Sequence, residues 1–193
     1  MSEREDWNLL HLGWEDVQYL TEKTAELIRE SGFKPDIIIA VSRGGFDPAR
    51  ILCDLLSVQR LASIQIEFYA GVNEKKGTPR VIYPLNADVT GLKVLVVDDV
   101  SDSGESLSVA LEHVRSRGAL EVQVATLHIK PWTTLRPHYF AEEVDSWIVY
   151  PWEPLESIRN IKKSLRSRGL SDTAIQAQLL KLGFSSEAIE KVG

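Results

Sequence analysis

Apolar and polar positions along this chain change period repeatedly, from the three-to-four spacing of a helix to the continuous or alternating runs of a strand. Trp14, Val17, Leu20, Thr24, Leu27 and Ile28 fall on one helical face, and Ser31-Gly32 closes that helix. The apolar run from Asp36 to Val41 predicts a short strand covered on both faces. Asp47 is placed as an N-cap with Pro48 at the first helical position, opening a helix that carries Ile51, Leu52, Leu55 and Leu56. Ile64, Ile66 and Phe68 alternate with Gln65 and Glu67, as in a half-buried strand. The polar residues from Tyr69 to Arg80, with glycines and a proline, predict a mobile loop. Val94 to Val97 is a further buried strand, and Leu107, Ala110, Leu111 and Val114 share a helical face ending at Gly118. Glu121 to Ile129 reads as one more strand.

Strands alternating with helices imply βαβ units, hence an α/β fold: a mostly parallel sheet flanked by helices. The pattern changes after Pro154. Ile158, Ile161 and Leu165 make one helical stripe, Ser171-Asp172 caps a second helix bearing Ile175, Leu179 and Leu180, and Ser185-Ser186-Glu187 opens a short third. The expected organisation is a main domain over residues 1–156 and a small helical extension over 157–193, without catalytic residues of its own.

Charge and cysteine usage narrow the classes of function. A formal net charge of -6 argues against a protein that coats nucleic acid, because phosphate contacts need clustered Lys and Arg. The single Cys53 can form no internal disulfide and lies in an apolar helical pattern, as a small core residue would. The polar start, Met-Ser-Glu-Arg-Glu-Asp, has no signal-peptide apolar region, and no apolar run approaches membrane-spanning length. A cytoplasmic protein with no membrane partner is expected.

Candidate chemistry concentrates in VLVVDDVSDSGES, residues 94 to 106. Ser103, Gly104 and Ser106 can offer hydroxyls and backbone N–H groups to a phosphate at the positive end of the following helix. Asp98, Asp99 and Asp102 would repel that phosphate unless they serve other partners. Adjacent Asp98 and Asp99 suit sugar hydroxyls and Mg²⁺, a hard ion that favours oxygen ligands, while Asp102 could exchange a proton with a substrate. An EF-hand is excluded because Ala110 stands where the bidentate Glu is needed, and a P-loop is excluded because Gly-Lys-Ser/Thr is missing. A plain capped turn is the remaining alternative, since Asp, Ser and Gly are common turn residues.

VLVVDDVSDSGES resembles the PRPP-binding motif of type I phosphoribosyltransferases, and Ala40-Val-Ser-Arg-Gly-Gly45 resembles that family's pyrophosphate loop. Lys130-Pro131, Trp147-Ile148 and Pro151-Trp-Glu153 are similar to the tail pattern of the xanthine-guanine and hypoxanthine members. The likeness covers roughly residues 12 to 156 and implies the fold of that family. It implies that Asp98 and Asp99 meet ribose hydroxyls and Mg²⁺, and that Asp102, Ser103, Gly104, Glu105 and Ser106 hold the 5-phosphate. Asp102 would also act as general base or acid at the purine imidazole nitrogen. Ser42, Arg43 and Gly44 would bind pyrophosphate, and Lys130 would donate to the exocyclic oxygen at purine position 6. Trp147 would stack on the base while backbone groups of Ile148 and Glu153 read its edge. PRPP and a 6-oxopurine are the implied substrates, with a homodimer or homotetramer as the expected assembly. A PRPP-sensing regulator of transcription or RNA is the alternative on the same fold. Glu105 departs from the family pattern, which commonly has Gly there, and Lys75, Lys76 and Arg80 are the loop cations without an assigned counterpart.

Overall fold

In the computed structural model the described residues are 7–69 and 77–192. In chain order the elements are β1 (Leu9–His11), α1 (Trp14–Glu30), β2 (Ile37–Ser42), α2 (Phe46–Leu55), β3 (Leu61–Tyr69), β4 (Thr78–Tyr83) and β5 (Lys93–Ser101). They continue with α3 (Glu105–Ser116), β6 (Glu121–Ile129), β7 (Tyr139–Glu143), β8 (Trp147–Val149), α4 (Pro154–Ser167), α5 (Asp172–Lys181) and α6 (Ser186–Glu190). Two compact units form: Val17–Asp145, and a second from the segments up to Asp16 and from Ser146 onward.

The larger unit is built on a six-stranded sheet of order β4-β3-β2-β5-β6-β7, parallel except for the antiparallel β3–β4 pair. Side chains alternate across a strand, so each central strand feeds two cores. Ile37, Ile39 and Val41 of β2 join Val94 and Val96 of β5 in a cluster with Leu107, Ala110, Leu111 and Val114 of α3. Ile38 and Ala40 join Leu95 and Val97 on the opposite face, against Ala25 and Ile28 of α1 and Ala49, Leu52 and Cys53 of α2. Burial on both faces explains why these strands read as continuous apolar runs. From β2 the chain crosses to β3 on one side, and from β5 to β6 on the other. The strand order therefore reverses between β2 and β5, the place where parallel sheets open a crevice at the strands' carboxyl ends.

The smaller unit pairs β1 with β8 in parallel and packs α4, α5 and α6 around Val149, Ile158, Ile161, Leu165, Ile175, Leu179, Phe184 and Ile189. Its helices start where capping chemistry places them. Pro154 stands at the start of α4, Ser171 accepts from the Ala174 N–H, and Ser185 accepts from the Ala188 N–H.

Several expectations shift. β5 continues past Val97 to Ser101, because Asp98, Val100 and Ser101 stay paired with Thr126, His128 and Ile129 of β6; pairing, not hydrophobicity, sets the strand's end. α2 begins at Phe46 rather than after Asp47, with Gly45 at its N-cap. Trp14 and Leu27 are exposed although they share the helical stripe of α1, and Phe68 is half exposed at the far end of β3. The segment expected as loop to Arg80 enters β4 at Thr78, paired with β3. Residues 70–76, with Lys75 and Lys76, and the N-terminal 1–6 lie outside the described residues.

Candidate functional site

The crevice at the β2/β5 reversal gathers most of the candidate residues. Ser42 ends β2, paired with Gln65 of β3, and the chain turns at once into α2: the Gly45 N–H donates to the Val41 carbonyl at 2.9 Å and Phe46 N–H to the Arg43 carbonyl at 3.2 Å. The Ser42–Arg43 peptide is cis. Side chains are excluded at both glycines by what they touch. A Cβ on Gly44 would lie 2.3 Å from Asp99 Oδ2, and one on Gly45 would lie 2.3 Å from the Val97 carbonyl oxygen. The loop of β2 is thus pressed directly onto the acidic end of β5.

Asp98 and Asp99 sit within β5, half-buried. The Asp99 N–H donates to Asp98 Oδ1 at 3.1 Å and the Val100 N–H to Asp99 Oδ1 at 2.7 Å. Burial holds the Asp98 carboxyl well above the usual range, reinforced by the neighbouring Asp99 charge, and burial raises Asp99 as well against its own backbone hydrogen bonds. Two adjacent hard carboxylates are a donor set that Mg²⁺ fits, since it binds through one or two carboxylates together with phosphates and water. Among the described residues no group of three or more His, Cys, Asp and Glu is arranged to hold a metal, so any such ion would draw its remaining ligands from substrate and water.

The chain then bends from Asp102 to Gly104 into α3. Gly104 is the N-cap at φ 84°, a left-handed conformation, and a Cβ there would lie 2.6 Å from the Leu135 nitrogen. Ser103 Oγ accepts from the Glu105 N–H at 3.3 Å, and the Gly104 carbonyl accepts from both the N–H and Oγ of Ser108 at 3.0 Å. Glu105 and Ser106 occupy the first turn of α3, where an acid is favourable against the helix dipole. Ser103 to Ser106 therefore form a small-residue turn leading into a helix N-terminus, the geometry suited to a phosphate.

Lys130 follows β6 and is 7% exposed. Burial lowers its pKa, opposed by the Asp102 and Asp145 carboxylates. The segment after it is fastened to the β5 motif. The Lys130 N–H donates to the Ser101 carbonyl at 3.0 Å, and the Thr134 N–H and Oγ1 both donate to the Ser103 carbonyl at 3.1 and 2.7 Å. Ser101 Oγ bonds Thr133 Oγ1 and the Leu135 carbonyl, each at 2.9 Å. Trp132 Nε1 donates to Asp102 Oδ1 at 2.9 Å, and Lys130 Nζ lies 5.7 Å from the Trp132 ring centroid. Trp132, Thr133 and Thr134 were not singled out by the sequence. Their one signal was position, immediately after a lysine at the carboxyl end of a parallel strand.

Trp147, Ile148 and Glu153 belong to the smaller unit. Trp147 opens β8 beside Leu9, its ring meeting Trp7 edge-on at 5.6 Å between centroids, and its N–H is donated to the Asn8 carbonyl. Ile148 is buried beside Leu10. Glu153 precedes α4; its N–H goes to the Tyr150 carbonyl and its own carbonyl accepts from the Ser157 N–H. Ser42, Arg43, Gly44, Asp98, Asp99, Asp102 to Ser106 and Lys130 all lie in the larger unit.

Comparison with known proteins gives these positions a context. Residues 14–157 match the model of the phosphoribosyl transferase domain. A xanthine-guanine phosphoribosyltransferase of Gluconobacter oxydans is 32% identical over 117 residues, covering 60% of this chain and 67% of the relative. Among solved structures, a purine phosphoribosyltransferase of Pyrococcus horikoshii is 38% identical with a TM-score of 0.67, covering 75% of this chain and 93% of the other. A protein of Neisseria gonorrhoeae with bound ppGpp is 28% identical with a TM-score of 0.71, covering 79% of this chain and 93% of the other.

Proposed function

The chain belongs to the phosphoribosyltransferase family, and from that premise we propose that it is a Mg²⁺-dependent purine phosphoribosyltransferase acting on a 6-oxopurine. The base nitrogen attacks the anomeric carbon of PRPP, the bond from that carbon to pyrophosphate oxygen breaks, and a nucleoside monophosphate and pyrophosphate result. The observation that carries this reading is the contact, at the sheet reversal, of the Ser42–Gly45 turn with Asp99, on the same strand that leads into the Asp102–Ser106 turn. These elements supply separate places for an anion at each end of a ligand and for hydroxyls between them.

Each group then has a task set by its chemistry. Arg43 and the backbone of Ser42 and Gly44 face the departing pyrophosphate, where charge develops as the bond breaks. Asp98 and Asp99 accept from ribose hydroxyls and would hold Mg²⁺, which would neutralise phosphate charge in the leaving group. Ser103, Gly104, Glu105 and Ser106, through backbone N–H groups and the serine hydroxyls, hold the 5-phosphate at the start of α3. Asp102 takes a proton from the purine imidazole nitrogen as the new bond forms. Lys130 donates to the oxygen at purine position 6, which favours hypoxanthine, guanine or xanthine over adenine. The reading places the enzyme in the cytoplasm as a homodimer or homotetramer, which sedimentation at micromolar concentration would test.

Incubating the full chain with PRPP, Mg²⁺ and hypoxanthine, guanine, xanthine or adenine in turn, and following pyrophosphate release, tests the assignment. Turnover with at least one 6-oxopurine and little with adenine is expected; no nucleotide from any base sinks the enzyme reading. The ppGpp held by the Neisseria gonorrhoeae protein favours a second reading, in which the same turns hold a regulatory nucleotide. PRPP-dependent nucleic-acid binding without turnover would move the assignment to such a regulator.

A further inference from the structure

Trp132 is 56% exposed, so burial contributes little to fixing its indole. Polar contacts do so instead. Its Nε1–H donates to Asp102 Oδ1 at 2.9 Å, and the Lys130 ammonium lies 5.7 Å from its ring centroid, within cation–π range. The backbone beneath it is tied to the β5 motif on both sides, through Lys130 N–H to Ser101 and through Thr134 to Ser103. Gly104 admits this close approach, because any side chain there would strike Leu135. Asp102 is itself exposed, and an exposed carboxylate without a fixed donor exchanges among several rotamers. The contact with Trp132 engages Oδ1 alone.

We propose that Trp132 is a positioning residue for catalysis: it occupies Oδ1 of Asp102 and turns Oδ2 toward the purine, while its ring face seats the Lys130 ammonium alongside. The chemistry of the base requires this adjacency. In a 6-oxopurine the exocyclic oxygen and the imidazole nitrogen N7 lie on one edge, so the donor to one and the acceptor from the other must stand side by side. Trp132 reaches both groups, with its N–H bonded to one and its π face within cation–π range of the other. Base recognition and proton transfer are thereby fixed in a single geometry, by a residue that need not touch the reacting atoms.

The inference rests on the reading of Asp102 as proton acceptor, and the test separates the two. Trp132→Phe keeps a ring face for Lys130 and removes only the N–H. With PRPP, Mg²⁺ and guanine or hypoxanthine, this variant of the full chain should lose about tenfold in kcat, as expected for a hydrogen bond to a charged group, with KM for PRPP and Tm unchanged. The same substitution in an Asp102→Asn background, followed by single-turnover kinetics, should change the rate by less than about twofold, because groups acting as one unit are not additive. A Trp132→Phe enzyme with wild-type kcat overturns the proposal, and so does an equal loss on both backgrounds, which would mark a merely structural role. Wild-type turnover in Asp102→Asn alone removes the proton acceptor itself, and the proposal falls with it.

Discussion

At Gly44 a single methyl group would collide with the carboxylate of Asp99, at 2.3 Å from Oδ2 and 2.5 Å from Cγ. Asp99 cannot easily retreat, because its Oδ1 holds the Val100 N–H. Gly44→Ala should therefore displace the carboxylate or the turn, and lose at least about 100-fold in kcat/KM for PRPP, a misplacement of the kind that remote positioning defects produce. Unchanged kinetics would show that the turn and the acid do not meet in the working enzyme. Asp99 itself carries a linked cost. Its folded-state pKa is raised by burial, so the native state binds the proton more tightly, and stability declines as pH rises above the ordinary carboxyl value of 3.8. Asp99→Asn keeps an oxygen for Val100 and removes the charge. At pH 8 without ligands its Tm should rise by roughly 2–6 °C, while the further rise that wild type shows with PRPP and Mg²⁺ should shrink sharply. A ligand-free Tm below wild type would contradict the burial argument. These acids were legible in the sequence because charges at the end of an apolar run stand out. Trp132 was not, because its contact with Asp102 spans thirty residues and exists only in the folded chain.

The elements separate into those written in local pattern and those made by pairing. β2, α3 and β6 announce themselves, β2 and most of β6 as apolar runs buried on both faces and α3 through a helical period that its buried residues match. β1 and β8, three residues each, are shorter than any window in which alternation can register. β7 is legible only through its partner, with Tyr139 and Phe140 lying beside Ala125 and Thr126 of β6. β4 begins inside the polar stretch, and the strand character of Thr78 to Arg80 comes from pairing with β3. The C-terminal helices are the reverse case, because their caps are explicit in sequence. Ser171 Oγ accepts from the Ala174 N–H at 3.3 Å, satisfying one of the donors that a helix start leaves unpaired. Ser171→Ala should cost about 1 kcal/mol. Leu179→Ala, at a fully buried position of the same helix, should cost about 2–5 kcal/mol by leaving a cavity. Chemical denaturation should rank the two in that order, and Ser171→Ala should leave turnover intact. A cap loss equal to the cavity loss would mean that the helix is held by its ends rather than by its core.

At the scale of the whole molecule, the acid limit of stability should be set from the middle of the larger unit. His128 on β6 is fully buried, and burial, with the nearby Lys130 charge adding to it, lowers its pKa from 6.5 to about 4. An unfolded chain protonates this imidazole near 6.5, whereas the folded chain resists until about 4. Between those values the unfolded state holds more protons, so native stability falls as pH falls through the window. The full effect approaches about 3 kcal/mol once pH lies below both values. The raised carboxyls of Asp98 and Asp99 act in the opposite sense, gaining stability as they take up protons in the same range. Their opposition makes the wild-type curve shallower than His128 alone would give, so the informative quantity is a difference between variants. His128→Asn removes the titration and leaves the carboxyls in place. Measured from pH 7 down to pH 4, its Tm should fall less than that of wild type, and the two curves should converge toward acid even if the variant starts lower from lost packing. Parallel curves would show that the buried imidazole carries no part of the acid sensitivity, and would place it with the paired carboxylates of the surface.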